Sequence, residues 1–178
     1  MPETMSGTMR GAVSATMRGI LIGLGMLVAA LPARGDDSAD RARIVGTWKL
    51  VSVVYEDQES KQQTPVYGEH PKGYQIATPE GRWLALVTAE GRPVPQNDAE
   101  RAQALRTMIA YTGRYRVEGG KVVTKVEAAW NEAWVGGEQT RFIRFEGDDL
   151  LHIESPPMPH PNLAGRVVRV IVTWQRDK

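Results

Sequence analysis

The chain of 178 residues contains no cysteine and carries almost no net charge. Without cysteine it can form no disulfide, no thiol nucleophile and no cysteine-ligated metal site. Its 22 basic residues nearly balance 21 acidic ones, for a formal charge of +1. This balance gives no broad electrostatic basis for binding nucleic acid or an anionic membrane surface. We therefore expect no nucleic-acid partner.

Motifs of catalysis and of cofactor binding are also missing from the sequence. There is no Gly-x-Ser-x-Gly nucleophile motif and no glycine-rich loop before a helix. The histidines, His70, His152 and His160, show no spacing with one another or with a carboxylate that is typical of a metal site. We therefore predict no metal and no cofactor.

Near the N terminus, an apolar segment of twelve residues, 20–31, follows Arg10 and Arg18. A membrane-spanning helix needs about 20 apolar residues, so this segment is too short to be one. A basic flank, a short apolar centre and small residues before a polar stretch are typical of a secretory signal peptide. We predict that residues 1–35 are a signal peptide and leader, cut after Ala33 or Gly35. The mature protein would then have no membrane span and would lie in a bacterial periplasm or outside the cell.

From residue 44 onward, apolar residues recur with a period near two, which is typical of short strands. After a linker at 36–43, we predict one domain at 44–178. Its eight strands are predicted at 44–56, 73–78, 82–88, 112–118, 121–130, 138–146, 150–155 and 166–176. An antiparallel sheet of this length must close or fold over, because open edges invite aggregation. The predicted fold is all-β: an eight-stranded antiparallel up-and-down barrel.

One short helix is predicted between the third and fourth strands. It begins at Asn97, which can cap free backbone N–H groups and is followed by Glu100 in a capping-box pattern. Apolar residues then recur at helical spacing as far as Ile109. Because Gly113 follows, we expect the helix to end near Tyr111.

Aromatic residues spread over several strands are the candidates for a ligand site. Inward-facing rings can line one cavity, since ligand sites are mostly apolar with a few placed polar groups, and Tyr and Trp supply both. The alternative is that these rings only fill the core. The candidate ligand-binding residues are Tyr74, Trp83, Tyr111, Tyr115, Trp130, Trp134 and Arg141.

Arg141 is the charged member of this set. It alternates with Ile143 and Phe145, and Phe142 and Arg144 lie on the opposite face, so each face of the strand carries one arginine. An arginine inside an apolar barrel is costly unless it is paired, so it would indicate an acidic ligand group or a buried carboxylate. The alternative is an arginine near the end of a hairpin that reaches solvent.

The two ends of the predicted domain suggest a family. Gly46-Thr47-Trp48 begins the first strand, and Trp174-Gln175-Arg176 ends the last one. This pair resembles the lipocalin pattern, in which Gly-x-Trp opens a barrel and a C-terminal arginine packs across that tryptophan. Segments similar to the bacterial lipocalin-like domain family are 44–52, 71–82, 111–115 and 134–141. The resemblance spans roughly residues 43–176 and implies a barrel fastened by Trp48 and Arg176.

Three functions remain open. The first, which we favour, is an exported protein that binds a small apolar or amphipathic molecule inside the barrel without covalent chemistry. The second is a cyclase or isomerase that folds its substrate in the cavity, with an acid or base from Glu127, His152 or a tyrosine. The third is a structural or partner-binding protein with a filled barrel. A connected interior cavity of several hundred Å³ would support ligand binding, since pockets usually measure about 300–1,000 Å³, and a solid core would favour the third function.

Overall fold

The structure, a computed structural model, describes residues 36–159 and 165–178. The predicted signal peptide and leader at 1–35, with its cleavage sites, lies outside the described residues, and so does His160. Export therefore stays a prediction. In the described part of the chain, no helix has the length and apolar character needed to span a membrane.

The described elements follow one another as two helices and ten strands, with a short 3₁₀ turn at Glu132–Trp134. In chain order they are α1 (Asp37–Ile44), β1 (Gly46–Asp57), β2 (Gln63–Pro65), β3 (Lys72–Ala77), β4 (Arg82–Thr88), α2 (Asp98–Arg106), β5 (Met108–Glu118), β6 (Lys121–Ala129), β7 (Glu138–Glu146), β8 (Leu150–Glu154), β9 (Met158–Pro159) and β10 (Val167–Arg176).

Eight of the described strands form a closed antiparallel barrel. Hydrogen-bonded neighbours follow the order β1-β3-β4-β5-β6-β7-β8-β10, and β10 pairs back with β1. The closing pair places Trp48 opposite Arg176. The short strands β2 and β9 add to β1 and β10. The predicted eight-stranded barrel is confirmed, and so is a helix between its third and fourth strands.

Alternate residues of the strands form the barrel interior. In β4, Trp83, Ala85 and Val87 are buried, and the residues between them are exposed. This period of two is expected for a strand with one face toward a core and one toward water. Trp48 and Trp83 are the largest of the fully buried side chains.

Helix α2 begins as predicted but ends early. The Asn97 side chain accepts a hydrogen bond from the backbone N–H of Glu100 at 3.0 Å, which caps the helix. The expected end near Tyr111 is wrong, because Met108 and Ile109 already belong to β5 and pair with β4. Strand pairing outweighs the helical spacing of the apolar residues here, and no residue of α2 is buried.

Most of the segment at 36–43, which we expected to be a linker, belongs to helix α1. Its polar side chains contact three hairpin turns at one end of the barrel. Asp37 accepts a hydrogen bond from the β5–β6 turn, and Arg41 and Arg43 donate to the β3–β4 and β7–β8 turns, at 2.6 to 2.7 Å. We call this end, made by α1 and the three turns, the floor. Only Ile44 of this helix is buried, so hydrogen bonds rather than an apolar face hold it in place.

The floor is fastened by Trp48 and Arg176. The Arg176 guanidinium carbon lies 4.1 Å from the centre of the Trp48 ring. The same guanidinium donates to the backbone carbonyls of Arg43 at 2.7 Å and Val45 at 3.1 Å. Trp48 Nε1 donates to the Ile44 carbonyl at 2.9 Å. Because these contacts join the first and last strands to α1, the predicted Trp48–Arg176 pairing is confirmed.

Candidate ligand cavity

A cavity of about 200 Å³ lies inside the barrel. Its aromatic walls are Trp83, Tyr111, Trp134 and Trp174, and most of the other lining side chains are aliphatic. Trp134 stands in the β6–β7 connection, at the end of the barrel opposite the floor, so the cavity extends toward that end. For comparison, an engineered apolar cavity of about 150 Å³ holds one benzene molecule. The barrel is therefore not filled, and it has room for one ring with a few further atoms.

Gln75 is the most deeply buried polar group of this cavity. Its side chain has no exposed surface, and neither Oε1 nor Nε2 has a hydrogen-bond partner among residues 36–159 and 165–178. The indole N–H groups of Trp83 and Trp174 also lack a partner within the described chain. All three side chains line the cavity. Buried polar groups are nearly always paired, and each unpaired one costs about 1–3 kcal/mol.

Tyr111 lies in the cavity wall between Trp83, Trp134 and Arg141. Burial raises the pKa of Tyr111, against the opposing influence of the Arg141 charge and the Trp83 indole N–H. That N–H is therefore near the hydroxyl but not in hydrogen-bond geometry with it. The ring meets Trp134 edge-on, with ring centres 5.5 Å apart. At neutral pH the hydroxyl keeps its proton and can donate a hydrogen bond to a ligand.

Arg141 lines the cavity. Of the two positions that the sequence left open, inside the barrel or out in solvent, the structure has the first. Its guanidinium donates to the Thr140 carbonyl at 2.8 Å and to Gln139 Oε1 at 2.9 Å. Its guanidinium carbon lies 5.7 Å from the centre of the Trp134 ring. Within the described ranges it forms no ion pair with a carboxylate. Neutral oxygens therefore hold this charge, and an acidic ligand group is not required.

Four of the seven predicted ligand-site residues share the cavity: Trp83, Tyr111, Trp134 and Arg141. Their role in binding stays a prediction. Tyr74 must be corrected, because it is 44% exposed on the outer face of β3, where Ile76 is also exposed. Gln75, the residue between them, faces inward instead.

Tyr115 and Trp130 are also outside the cavity, for two different reasons. Tyr115 is buried near the floor, where its hydroxyl donates to the Thr78 carbonyl at 3.0 Å. Trp130 follows β6 and packs edge-on against Trp134, with ring centres 4.7 Å apart. It contributes to a shallow apolar groove on the outer side of β4, β5 and β6. Tyr115 thus faces inward but lies too close to the floor, whereas Trp130 lies at the outer side of the sheet.

Gln75 and Trp174 were missed by sequence reasoning. In β3, the choice of Tyr74 as a cavity residue indicated the wrong inward face. The register of the β3–β4 hairpin could have indicated the correct face, because it pairs Ala77 with Trp83 and Gln75 with Ala85. Cross-strand partners share a face, so a buried Trp83 requires an inward Gln75.

The acid–base candidates Glu127 and His152 lie outside the cavity. Glu127 is on the outer face and forms an ion pair with Arg82. His152 alternates with inward-facing neighbours, and its ring nitrogens lie 3.1 Å from Thr173 Oγ1 and 3.2 Å from Glu146 Oε2. Within residues 36–159 and 165–178, no three His, Asp or Glu side chains gather where they could hold a metal ion. Of the proposed acids and bases, only a tyrosine reaches the described cavity.

Comparison with protein-family models agrees with this fold. A family model described as a lipocalin-like domain matches residues 45–177. The chain belongs to the lipocalin-like domain family. A crystal structure of an uncharacterized protein from Bacteroides eggerthii is similar to this lipocalin-like chain, with 13% identity and a TM-score of 0.39. That match covers 75% of this chain and 99% of the other. No curated protein matches the chain.

Proposed function

We propose that this lipocalin-like protein is exported and binds a small, mostly apolar molecule inside its barrel, without covalent chemistry. The cavity of about 200 Å³ between aromatic walls is the observation that carries this proposal. Such a volume exceeds the voids of a well-packed core, which are rarely larger than a water molecule. Export is supported by the basic flank, apolar centre and small residues of the N-terminal 35 residues.

Apolar burial supplies the affinity expected for such a ligand. Each square ångström of apolar surface removed from water contributes roughly 25 cal/mol, and the rings of Trp83, Tyr111, Trp134 and Trp174 offer broad contact surfaces. Fixed polar groups at the same walls would orient the molecule. A ligand that is apolar over most of its surface and polar at one place fits this lining.

The alternative, a cyclase or isomerase, is favoured by Tyr111. Its hydroxyl lines the cavity beside Arg141, whose charge opposes the rise that burial causes in the pKa of Tyr111, so it is placed to transfer a proton to a bound substrate. The two functions differ in what becomes of the ligand. A compound recovered unchanged after incubation with the protein supports binding, whereas a rearranged isomer would support the enzyme.

The binding function is tested by filling the cavity. Ala85 lines it, and Ala85→Phe places a ring in the space that the ligand would occupy. Ala128→Phe is a matched control, because Ala128 is exposed on the outer face of β6. Small molecules extracted from each protein, expressed in the native host, are identified by mass spectrometry.

We expect one compound to accompany the wild type and Ala128→Phe in near-stoichiometric amount and to be lost from Ala85→Phe. Filling the cavity should also stabilise the ligand-free protein by about 0.5–2 kcal/mol. A compound retained by Ala85→Phe, or absent from all three proteins, would count against binding inside the barrel.

A further inference from the structure

We propose that the ligand carries a neutral amide-type group, with its N–H and C=O on the same side, that pairs with Gln75 inside the barrel. Primary carboxamides, lactams and imides have this arrangement. The inference rests on the proposed function, since it describes the molecule that the cavity would hold. Its basis is the unpaired amide of Gln75 together with the indole N–H groups of Trp83 and Trp174.

The strand pairing of β3 determines the direction in which the Gln75 side chain points. It is central in β3, opposite Ala85 of β4 and Trp48 of β1, so its side chain can only enter the barrel. It has no exposed surface and lines the cavity. Its donor and its acceptor both lack a partner in the described part of the chain. A strand position that needed only packing would be served better by leucine or methionine.

The donors and the acceptor of the Gln75 side chain determine which polar group of a ligand can pair with it. Its side chain presents two N–H donors and one carbonyl acceptor in one plane. A cis amide answers both at once, with its C=O accepting from Nε2 and its N–H donating to Oε1. A carboxylate accepts from Nε2, but its negative charge is repelled by the partial negative charge of Oε1. A hydrocarbon pairs with neither atom. Of these three groups, only the amide pairs with both Nε2 and Oε1, and it leaves one N–H of Nε2 for a second acceptor.

The two indoles favour a ligand group rich in acceptors. Trp83 and Trp174 are donors only, and both line the same cavity as Gln75. A ligand carbonyl has two lone pairs, so it can accept from Gln75 and from one indole together. A second acceptor, as in an imide, would serve the other indole. Donors at this wall thus outnumber acceptors, which agrees with a carbonyl-bearing ligand.

The volume of the cavity limits the size of the compounds that can be used to test this inference. A volume of about 200 Å³ accepts a single ring with one small substituent. Benzamide supplies the ring and the cis amide, toluene supplies the ring with no polar group, and benzoate supplies the ring with a carboxylate. Titration of the purified wild-type protein with each probe, followed by calorimetry, needs no variant.

We expect benzamide to bind at least about tenfold more tightly than toluene or benzoate, since one or two paired hydrogen bonds are worth about that factor. In the near-isosteric variant Gln75→Met this advantage should disappear, with toluene binding retained. Gln103→Met, which changes an exposed glutamine of α2, is the control and should bind all three as the wild type does. Without ligand, Gln75→Met should also melt about 2–4 °C higher, because an unpaired amide is removed.

The failures can be told apart. If toluene binds as tightly as benzamide, or Gln75→Met keeps the preference for benzamide, the amide inference is wrong and binding in the barrel stands. Tightest binding of benzoate would assign recognition to the Arg141 charge and overturn the inference in the same way. If none of the probes binds the wild type, the proposed function fails and the inference fails with it.

Discussion

Two buried tryptophans lie on neighbouring strands of the barrel and differ in how their indoles are satisfied. At the floor, Trp48 Nε1 donates to the Ile44 carbonyl, and Arg176 covers the ring. Trp174 lies farther from the floor and is almost as deeply buried as Trp48, with 2% of its surface exposed. Its Nε1 nevertheless has no hydrogen-bond partner in the described residues. Both rings bury a large apolar surface, so the two tryptophans differ mainly in the polar contacts of their indoles.

This difference divides the barrel into two functional regions. The floor joins the chain ends and three hairpin turns through paired polar groups, which is how a buried polar group stabilises a fold. The cavity wall keeps donors and a Gln75 amide that have no partner within residues 36–159 and 165–178, which lowers stability. Proteins accept such a loss where a site must recognise something else. We therefore expect changes at the floor to act on folding, and changes in the cavity to act on binding.

The largest effect is expected for Trp48→Ala. The change removes a fully buried ring and its contacts with Arg176, so the free energy of unfolding should fall by about 3–5 kcal/mol. Trp130→Ala, at a ring outside the core, should cost clearly less. Urea unfolding of the ligand-free proteins, followed by fluorescence, measures both. Similar losses at the two positions would contradict a stabilising role of the floor.

A second pair of substitutions compares the polar contacts of the two indoles, which for Trp48 are the hydrogen bond to Ile44 and the Arg176 guanidinium over the ring. Trp48→Phe and Trp174→Phe remove the same atoms from equally buried rings. Only the first removes a hydrogen bond to the Ile44 carbonyl, whereas the second removes an N–H that has no partner among the residues the structure describes. We expect Trp48→Phe to cost about 1–2 kcal/mol more than Trp174→Phe in urea unfolding. Equal losses would mean that the two indoles do not differ in the way described.

A pH-dependent effect is expected at Asp57, a paired group at the end of the barrel opposite the floor. Its carboxylate accepts hydrogen bonds from the Ser60 backbone N–H at 2.7 Å and the Ser60 hydroxyl at 2.9 Å. Arg166 Nε lies 2.8 Å from its second oxygen. The Ser60 hydrogen bonds first, and Arg166 in addition, lower the pKa of Asp57 from 3.8 to about 2.

The pH dependence follows from the sign of that change. Because the pKa is lower in the folded protein than in the unfolded chain, the ionised carboxylate stabilises the fold above about pH 4. That contribution is lost as the pH falls through 3.8 toward 2. Between these values, the unfolding free energy of the wild type should drop more steeply than that of Asp57→Asn. Parallel curves would show that Asp57 is no better paired than a solvent-exposed carboxylate.

Hairpin patterns were the part of this molecule that sequence reasoning predicted well. Turn residues bounded the strands, so the β3–β4 hairpin appears where it was expected. The closing contact of Trp48 with Arg176, which the resemblance to lipocalins implied, is also present. Helix α1 was missed because its sequence has no apolar periodicity and only Ile44 is buried. Its fold depends on hydrogen bonds to turns that are distant in sequence, and no local pattern indicates those.

The candidate site was only partly predictable for a related reason. Aromatic residues indicated a lined cavity, and Trp83, Tyr111 and Trp134 do lie together. Tyr74 was assigned to the wrong face of β3, since hydrophobicity alone does not reveal strand register. The unpaired state of Gln75 could not be predicted at all, because it depends on which partners the folded chain fails to bring near.

The central claim is that the cavity holds unpaired polar groups because a ligand pairs with them. A crystal structure of the protein purified from its native host, at a resolution that shows ordered water, tests this most directly. We expect electron density for one connected organic molecule in the cavity, within hydrogen-bond distance of Gln75 Oε1 and Nε2. Gln75 paired with protein atoms, or solvated by water in an otherwise empty cavity, would contradict it.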